Sequence, residues 1–428
     1  MTGMDNDSNN RTCDVAVIGG GPAGMMAAGT AARLGAAVVL LEKNRRSGRK
    51  LLITGKGRCN VTNADYDPRS FLDRFGKKGR RLNSALHAFG VEDAMNFFAT
   101  RGCPLKVERG NRVFPVSDRS ADVLRALRDY MKEGGVRVME GYEALAMERD
   151  GNRIARVVTS GGAFEAGSVI LCTGGLSYPA TGSTGSGFDF ARALGHTVVP
   201  PRPSLVPVLL DADWVPELEG LSLRNVSVGV VRGGKTAARE FGEALFTAGG
   251  MSGPVIIDLS RVIGELLPAP LEVSIDLKPA LDHRSLDARI LRDFGENPTR
   301  QFKNSLGRLL PASLVPVIVR LSGIDPHKSV SHLGREERKK LVGLLKDLRA
   351  GVTGLEGYES AIITAGGVSL DEIDMRAMRS RIIHNLYFAG EIIDIDGPTG
   401  GYNLQVCWST GYAAGRAAAG AQEGTTHE

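Results

Sequence analysis

The chain has 428 residues, 42% of them hydrophobic and 24% charged, which is typical of a globular protein of one large domain or two to three ordinary ones. The net charge is only +5, and the five cysteines are scattered without a C-x-x-C pair, which argues against a disulfide framework and against a metal site. The polar N-terminus lacks the apolar segment of a signal peptide and no apolar run would span a bilayer, so we expect a cytoplasmic protein without a membrane partner, disordered over residues 1–11.

The first predicted element is the strand–helix–strand unit CDVAVIGGGPAGMMAAGTAARLGAAVVLLEK, residues 13–43. An apolar run typical of a buried parallel strand leads into Gly19, Gly21 and Gly24, which complete G-x-G-x-x-G. In this motif the first glycine permits a tight turn and the second lets a pyrophosphate approach the backbone, while the third lets the helix pack closely on the sheet. The pattern predicts dinucleotide binding.

The rest of this unit agrees with that prediction. A helix is predicted over residues 22–34, with Pro22 in its first turn and Gly35 as its C-terminal cap. Glu42 ends the second strand eighteen residues after Gly24, close to the spacing at which an acid binds a ribose hydroxyl. Because a carboxylate at this position repels a ribose phosphate, NADP is disfavoured as the bound dinucleotide.

The next segment, GRKLLITGKGRCNVTN (residues 48–63), belongs to a basic stretch: between Arg45 and Arg81 there are twelve Lys or Arg and three Asp, a balance of +9. Its glycine spacing does not match a phosphate-binding G-x-x-x-x-G-K-[ST] loop, and residues 48–63 contain none of the aromatics of a nucleic-acid arm. A dinucleotide cradle fits better, because the segment follows the carboxyl end of the second strand, where such sheets bind ligands. Part of the basic stretch, after Arg69, is equally explained as a solvated face.

Cys59 lies in this segment between cations. A thiol beside Lys56 and Arg58 could have a lowered pKa and react with a bound cofactor. A redox dithiol would need a partner, and no second cysteine is near in sequence. We therefore favour a packing or hydrogen-bonding role for Cys59.

The middle of the chain predicts further domains. Residues 136–172 indicate consecutive short strands. Residues 196–281 are rich in Pro, Gly and alternating stretches, which predicts a β-rich insert, a small barrel or sandwich. Residues 282–354 have helical periodicity and predict a helical cap subdomain, which leaves residues 12–195 and 355–428 for one discontinuous dinucleotide-binding domain.

Two later segments favour FAD as the dinucleotide. Residues 168–187 are a strand that runs into a glycine-rich loop, and residues 385–415 are a strand, a glycine-rich turn and a helix of small residues. This layout resembles the two-dinucleotide-binding flavoprotein class. The resemblance implies that Gly390 and Glu391 meet the ribityl and pyrophosphate region, and that the helix after Gly401 directs its positive N-terminus at the flavin ring.

Six motifs, in order along the chain, resemble one bacterial family: GRKLLITGKGRCNVTN, ERGNRVFPVSDRSADV, PSLVPV, GEALFTAGGMSGPVI, TAGGVSLDEID and YFAGEIIDIDGPTGGYNLQ. This is the family of FAD-dependent oxidoreductases that are aminoacetone oxidase-like or 3-dehydro-bile-acid reductase-like. The resemblance covers about residues 12–418 and implies an α/β fold, with a Rossmann-like FAD-binding domain, an inserted β-rich lobe and a helical cap.

The motifs and the resemblance together give a set of candidate residues for non-covalent FAD binding. They are Gly19, Gly21, Pro22, Ala23, Gly24, Glu42, Lys43, Lys50, Thr54, Gly55, Gly57, Arg58, Cys59, Asn60, Ala144, Thr173, Gly174, Gly175, Gly390, Glu391, Gly401, Asn403, Leu404 and Gln405. The motifs do not determine the catalytic residue, for which Cys59, Lys50 and Arg58 are the candidates. Where family members often carry His or Tyr, this chain has Ala248 and Gly249, so a proton donor must come from elsewhere.

The activity we expect is hydride transfer from NAD(P)H through the flavin to a small organic acceptor such as a conjugated C=C bond. No second dinucleotide fingerprint is present, so NAD(P)H would share the substrate pocket. The alternatives are a flavin oxidase of a small amine, an RNA-modifying flavoprotein, and a flavin-binding protein without turnover. A nucleic acid partner is the less favoured interpretation, although the pI near 8.9 permits it.

Overall fold

The computed structural model describes residues 11–420, which belong to two compact units. One unit contains the chain up to Pro203 and from Ile362 onward; the other is Ser204–Ala361. The disorder expected for residues 1–11 concerns positions that, except for Arg11, lie outside the described part. No helix within residues 11–420 combines the length and apolarity that crossing a bilayer requires.

The strands of both units are numbered in chain order. They are β1 Thr12–Ile18, β2 Val38–Glu42, β3 Thr62–Asn63, β4 Leu105–Glu108, β5 Arg112–Pro115, β6 Arg137–Glu140, β7 Ala144–Asp150, β8 Arg153–Thr159, β9 Gly162–Leu171, β10 Val198–Ser204, β11 Val208–Asp211, β12 Ser222–Arg232, β13 Lys235–Thr247, β14 Gly250–Ser252, β15 Glu272–Asp276, β16 Leu348–Leu355, β17 Ile363–Val368, β18 Ile373–Asp374, β19 Arg379–Ser380 and β20 Leu386–Phe388.

The α-helices are numbered in the same way. They are α1 Pro22–Arg33, α2 Arg49–Ile53, α3 Pro68–Asp73, α4 Asn83–Ala88, α5 Val91–Thr100, α6 Ser120–Glu133, α7 Ser186–Ala193, α8 Pro254–Leu266, α9 His283–Gly295, α10 Leu314–Ser322, α11 Arg335–Lys346 and α12 Tyr402–Gly420. Short 3₁₀ helices include Thr54–Gly57, Gly76–Leu82 and Gly390–Ile392.

The first unit is built on a mainly parallel sheet. Its central strands follow the order β20-β9-β1-β2-β6, all parallel, and antiparallel strands extend it at β18-β19 and at β7-β8. β1 is buried from Val15 to Ile18 and β2 along its whole length, as strands covered on both faces require. The expected Rossmann-like α/β fold is confirmed.

Helices α1 and α12 pack against each other at backbone distance. A Cβ at Gly411 would lie 2.5 Å from the carbonyl oxygen of Ala23, so only glycine permits the approach. The run of Ala and Gly in both helices thus has a packing reason: small side chains let two helices lie close together. The contact places the middle of α12, at Gly411, against the first turn of α1.

The second unit is a closed six-stranded antiparallel barrel, in the order β11-β14-β13-β12-β15-β16. The barrel closes because β16 pairs with both β11 and β15. Helices α9, α10 and α11 come between β15 and β16 in the chain, and their apolar faces share one hydrophobic core with the barrel.

The units meet at 203/204 and 361/362, whereas the sequence suggested boundaries at 195/196 and 354/355. The second compact unit contains both the barrel and residues 282–354, so the helices are not a separate cap unit. The physical reason is the strand Leu348–Leu355, which follows the helices and completes the barrel, so neither part buries its apolar surface alone.

Candidate functional site

The candidate site begins where β1 and β9 end side by side. Ile18 is in register with Leu171, so the turns that follow the two strands lie together. From β1 the chain continues to β2 on one side of the sheet, while β9 lies on the other, which makes this the topological switch point at which open α/β sheets bind ligands. Gly19 is required here: its φ is +105°, and a Cβ would lie 2.5 Å from the carbonyl oxygen of Cys172.

The glycine turn leaves room for an anion at the start of α1. Gly21 is the N-cap residue and no side chain among the described residues caps it; a Cβ there would meet open space. Pro22 and Ala23 form the first turn, and Gly24 packs against the carbonyl oxygen of Gly19 so closely that a Cβ would overlap it. The exposed N–H groups and the positive helix end suit a pyrophosphate.

Glu42 lies against this turn and is held by three donors. Its Oε2 accepts from the N–H of Gly20 at 2.8 Å, and its Oε1 accepts from the N–H and the Nδ2 of Asn44 at 2.8 and 2.7 Å. These bonds fix the carboxylate at the end of β2, the position of a ribose ligand in this fold.

Two other predicted residues lie near Glu42. The strand that begins at Ala144 follows Tyr142, whose N–H donates to the carbonyl oxygen of Glu42 at 3.0 Å. Lys43 points its Nζ at the hydroxyl of Thr184, 2.7 Å away. The structure therefore brings Ala144 and Lys43 to the Glu42 end of the site.

Lys50 connects three segments that are distant in sequence. Its Nζ donates to Ser177 Oγ at 2.6 Å and to Glu391 Oε2 at 2.7 Å. The other carboxylate oxygen of Glu391 accepts from Ser177 Oγ at 2.8 Å and from the N–H of Thr364 at 2.7 Å. We name these four residues the inner network.

Arg58 points away from the inner network. Its guanidinium donates to Glu108 and to Asp118, each at 2.5 Å, and stacks 4.1 Å from the ring centroid of Phe114. Lys106 completes this group with a 2.7 Å pair to Asp118. We name Arg58, Glu108, Asp118 and Lys106 the outer cluster. Because the Arg58 charge is compensated there, the structure gives it an anchoring role rather than a cofactor contact.

Cys59 is fully buried in the loop that joins these two groups. Burial raises the pKa of its thiol to about 12, although a hydrogen bond with Thr54 opposes the shift. The hypothesis of a lowered thiol pKa is therefore not supported, because the cations beside Cys59 in sequence turn elsewhere. The positive φ angles of Gly55 (+57°) and Gly57 (+86°) shape this loop.

Two buried polar atoms in predicted segments have no protein partner among the described residues. They are Thr173 Oγ1, directly after β9, and Asn60 Oδ1, next to Cys59. Gly174 adopts a φ of +72°, while Gly175 leaves space that Thr364 Oγ1 fills. Since unpaired buried polar groups are costly, these atoms fit a polar ligand bound along the loops, and the whole arrangement fits FAD.

The last segment, residues 394–401, leads into α12. Asn403 holds the turn by accepting from the N–H of Gly397 at 2.8 Å and donating to the carbonyl oxygen of Gly397 at 2.9 Å. Gly401, with φ +100°, packs on the backbone of Thr62, and Gly390, with φ +78°, packs on Ala23. These contacts hold the chain before α12 against Thr62 and place Gly390 against the first turn of α1.

Two predicted residues of α12 differ in burial. Gln405 is fully buried: its Oε1 accepts from Thr62 Oγ1 at 2.7 Å, and its Nε2 donates to Ser409 and to the carbonyl oxygen of Phe89. Leu404 is half-buried and packs partly on the hydrophobic core. The structure thus gives Gln405 a packing role, whereas a cofactor contact of Leu404 stays a prediction.

Sequence reasoning missed Asp394. Its carboxylate is 10% exposed and pairs with Lys78 Nζ at 2.6 Å. Burial raises the pKa of this carboxyl, although Lys78 opposes the shift. The acidic IDID stretch before the glycine turn was the available signal, but its partner is 316 residues away in the chain.

The chain matches the family model described as HI0933-like protein Rossmann domain over residues 13–417. The chain belongs to this family. It is 33% identical over 411 residues to the 3-dehydro-bile acid delta(4,6)-reductase of Clostridium scindens, covering 95% of this chain and 98% of that one. It is 31% identical over 402 residues to the ribosomal RNA dihydrouridine synthase of Escherichia coli, covering 94% and 96%. The resemblance found in the sequence is confirmed, and this HI0933-like chain is an FAD-dependent oxidoreductase.

Solved structures share the fold of this family member. The 3-ketosteroid-delta4-(5alpha)-dehydrogenase of Rhodococcus jostii RHA1 superimposes with a TM-score of 0.52 at 17% identity, covering 98% of both chains. The quinol fumarate reductase of E. coli gives 0.53 at 16% identity, covering 97% of this chain and 71% of that one. At such identities the likeness establishes the FAD-binding fold alone.

Proposed function

We propose that this FAD-dependent oxidoreductase reduces a C=C bond conjugated to a carbonyl group in a small organic substrate, with NAD(P)H as electron donor. Two relatives of nearly full length support the reaction class. By its name, the first reduces ring double bonds of a bile acid that carries a 3-oxo group. By its name, the second produces dihydrouridine, the product of reducing the uracil C=C bond that is conjugated to a carbonyl.

The observation that carries the proposal is the meeting of the glycine turn at Gly19–Gly24 and the inner network at one edge of the sheet, where Gly390 lies against Ala23 and α12 packs on the first turn of α1. Bound FAD supplies the hydride-transfer chemistry. The chain's own groups would bind and orient it: the N–H groups of the turn at Gly21 would hold the pyrophosphate, and the positive N-terminus of α12 would stabilise negative charge.

A reduction of this kind also consumes a proton. We propose that the pair of Asp394 and Lys78 holds it, because burial raises the pKa of the Asp394 carboxyl and Ala248 and Gly249 have no acidic side chain. Lys78, at 2.6 Å, orients the group. The Asp394→Asn variant tests this role: kcat should fall and lose its pH dependence, while reduction of the flavin by NAD(P)H keeps its rate. The role would be rejected if flavin reduction slowed while kcat kept its dependence on pH.

The experiment that tests the function is an anaerobic absorbance measurement on the yellow holoenzyme mixed with NADH or NADPH. Fast bleaching of the flavin bands by one of them identifies the donor, and reoxidation by a 3-oxo-Δ4 steroid then establishes the reaction class. Because donor and acceptor share a pocket in this proposal, steady-state kinetics should be ping-pong. Absence of bleaching, together with rapid oxygen consumption on a small amine, would replace the proposal by an oxidase.

A second candidate substrate is a uracil base in RNA. The sequence disfavoured nucleic acid, but the synthase from E. coli and a second one from Haemophilus influenzae, 30% identical over 404 residues, argue for it. The excess of cations between residues 45 and 81 agrees with a polyanionic substrate. Nucleoside mass spectrometry of transcribed ribosomal RNA, after incubation with holoenzyme and donor, would detect dihydrouridine; unmodified uridine would reject this candidate.

A further inference from the structure

The cations of the 3₁₀ helix Gly76–Leu82 lie on different sides of the helix. With 3.0 residues per turn, positions three apart lie above one another, about 6 Å along the axis. Lys77 and Arg80 therefore share one side, and both are exposed. The apolar and small residues Gly79 and Leu82 are buried. The helix thus presents cations to solvent on one side.

The same helix is attached to the loop that precedes α12. Lys78, on the neighbouring side, pairs with Asp394, and the ring of Phe75 packs so closely on Gly397 that a Cβ there would lie 2.6 Å from it. These two contacts hold the exposed cations at the Asp394 end of residues 394–401.

A second basic element lies at the other end of this loop. Arg109 and Arg112 are exposed at the turn between β4 and β5. Asn63 connects the turn to the loop, because its Nδ2 donates to the carbonyl oxygen of Gly110 at 3.2 Å and to that of Gly400 at 3.0 Å. Cations therefore flank residues 394–401 on two sides.

We infer that Lys77, Arg80, Arg109 and Arg112 form a phosphate-binding rim for a single-stranded RNA segment whose target base enters the site beside residues 394–401. The inference rests on the second candidate function. RNA suits two separated basic elements, because it carries a phosphate at every nucleotide, whereas the phosphates of a dinucleotide donor are adjacent. A base inside a duplex is out of reach of a buried cofactor, so the strand must present it unpaired.

The rim has a matched control elsewhere in the chain. The variants Lys77→Gln/Arg80→Gln and Arg109→Gln/Arg112→Gln each remove two rim cations. The variant Arg335→Gln/Lys339→Gln removes two exposed cations from α11, in the other compact unit. Wild type and the three variants are compared as holoenzymes, on the condition that their melting temperatures are equal.

The test measures binding of a fluorescein-labelled oligouridylate by anisotropy over a salt series, with no donor present. For single strands, the slope of log K against log salt is about −0.7 per phosphate contact. We expect each rim variant to make the slope shallower by about 1.4, and the control to match wild type. No binding by wild type, or an equal loss in rim and control variants, would overturn the inference.

Two further readouts separate this inference from the proposed functions. Flavin bleaching by NAD(P)H should show the same donor dependence in every variant; a raised donor requirement in the rim variants with unchanged RNA binding would assign the rim to the donor and overturn the inference. Dihydrouridine formation is measured independently. RNA binding through the rim without dihydrouridine supports the rim and rejects the second candidate function.

Discussion

The inner network and the outer cluster start from the same short segment but differ in burial. Lys50 and Glu391 are 20% and 16% exposed, whereas Arg58 and Asp118 are 34% and 43% exposed. The inner pair joins segments 341 residues apart, and the outer cluster joins a loop to a nearby hairpin. Two cations eight residues apart in sequence therefore have different roles, because one faces the switch point and the other faces water.

Replacing Lys50 by Met should have the largest effect. It leaves the Glu391 carboxylate, largely shielded from water, with Ser177 and Thr364 as its remaining donors among residues 11–420, so we expect a loss of about 2 kcal/mol in the free energy of unfolding. Retention of FAD should also weaken, because Glu391 is no longer held in place. Chemical denaturation and flavin release on dilution measure both effects. Lys56→Met, an exposed cation in the same loop, is the control, and equal losses in the two variants would contradict the prediction.

Double-mutant cycles sharpen the comparison. The coupling between Lys50→Met and Glu391→Gln should be about 1–2 kcal/mol and largely persist in 1 M salt, since the pair is mostly shielded from solvent. The coupling between Arg58→Met and Glu108→Gln should be smaller and fall with salt, because that pair is solvated. Equal salt dependence of the two couplings would show that burial does not distinguish the two groups.

His196 provides a further test of how burial controls charge, because a histidine side chain ordinarily titrates near neutral pH. Its Nε2 lies 2.8 Å from Ser380 Oγ, and its Nδ1 is 3.3 Å from Glu372 Oε2. Burial lowers the pKa of His196 below its ordinary 6.5, although Glu372 opposes the shift. The folded state therefore keeps this imidazole neutral while the unfolded state takes up a proton, so stability is lost as pH falls below about 6.5.

The variant His196→Gln should reduce this loss. Unfolding free energies of wild type and variant are compared between pH 7.5 and pH 5.5. Parallel pH curves for the two proteins would mean that other groups account for the loss.

Cys59→Ala should have the smallest effect. A thiol with a pKa of about 12 is protonated at neutral pH, so flavin reduction should be unchanged and the stability cost about 1 kcal/mol or less. Native protein at pH 8 should leave Cys59 unmodified by iodoacetamide, as peptide mass spectrometry would show. Rapid alkylation of Cys59 would contradict its burial, which is the feature that distinguishes this thiol from the partly exposed side chains of Lys50 and Arg58.

Much of the fold was accessible from the sequence because its signals are local. The helix predicted over residues 22–34 is observed at Pro22–Arg33, with Gly35 at positive φ just beyond its end. The β-rich insert was recognised from alternation, but not that β16 closes the barrel. Pairing between strands more than a hundred residues apart leaves no periodic pattern in the amino-acid sequence.

The sequence by itself determined the glycine turn, the acid at the end of β2 and the family, because these depend on backbone conformation and on spacing between neighbours. Only the tertiary structure decided which charged groups face one another: that Lys50 meets Glu391, that Arg58 turns to Glu108, and that Gln405 lies in the core. The physical reason is that the partner of a charge is set by the packing of distant segments, and burial then decides how strongly the two interact.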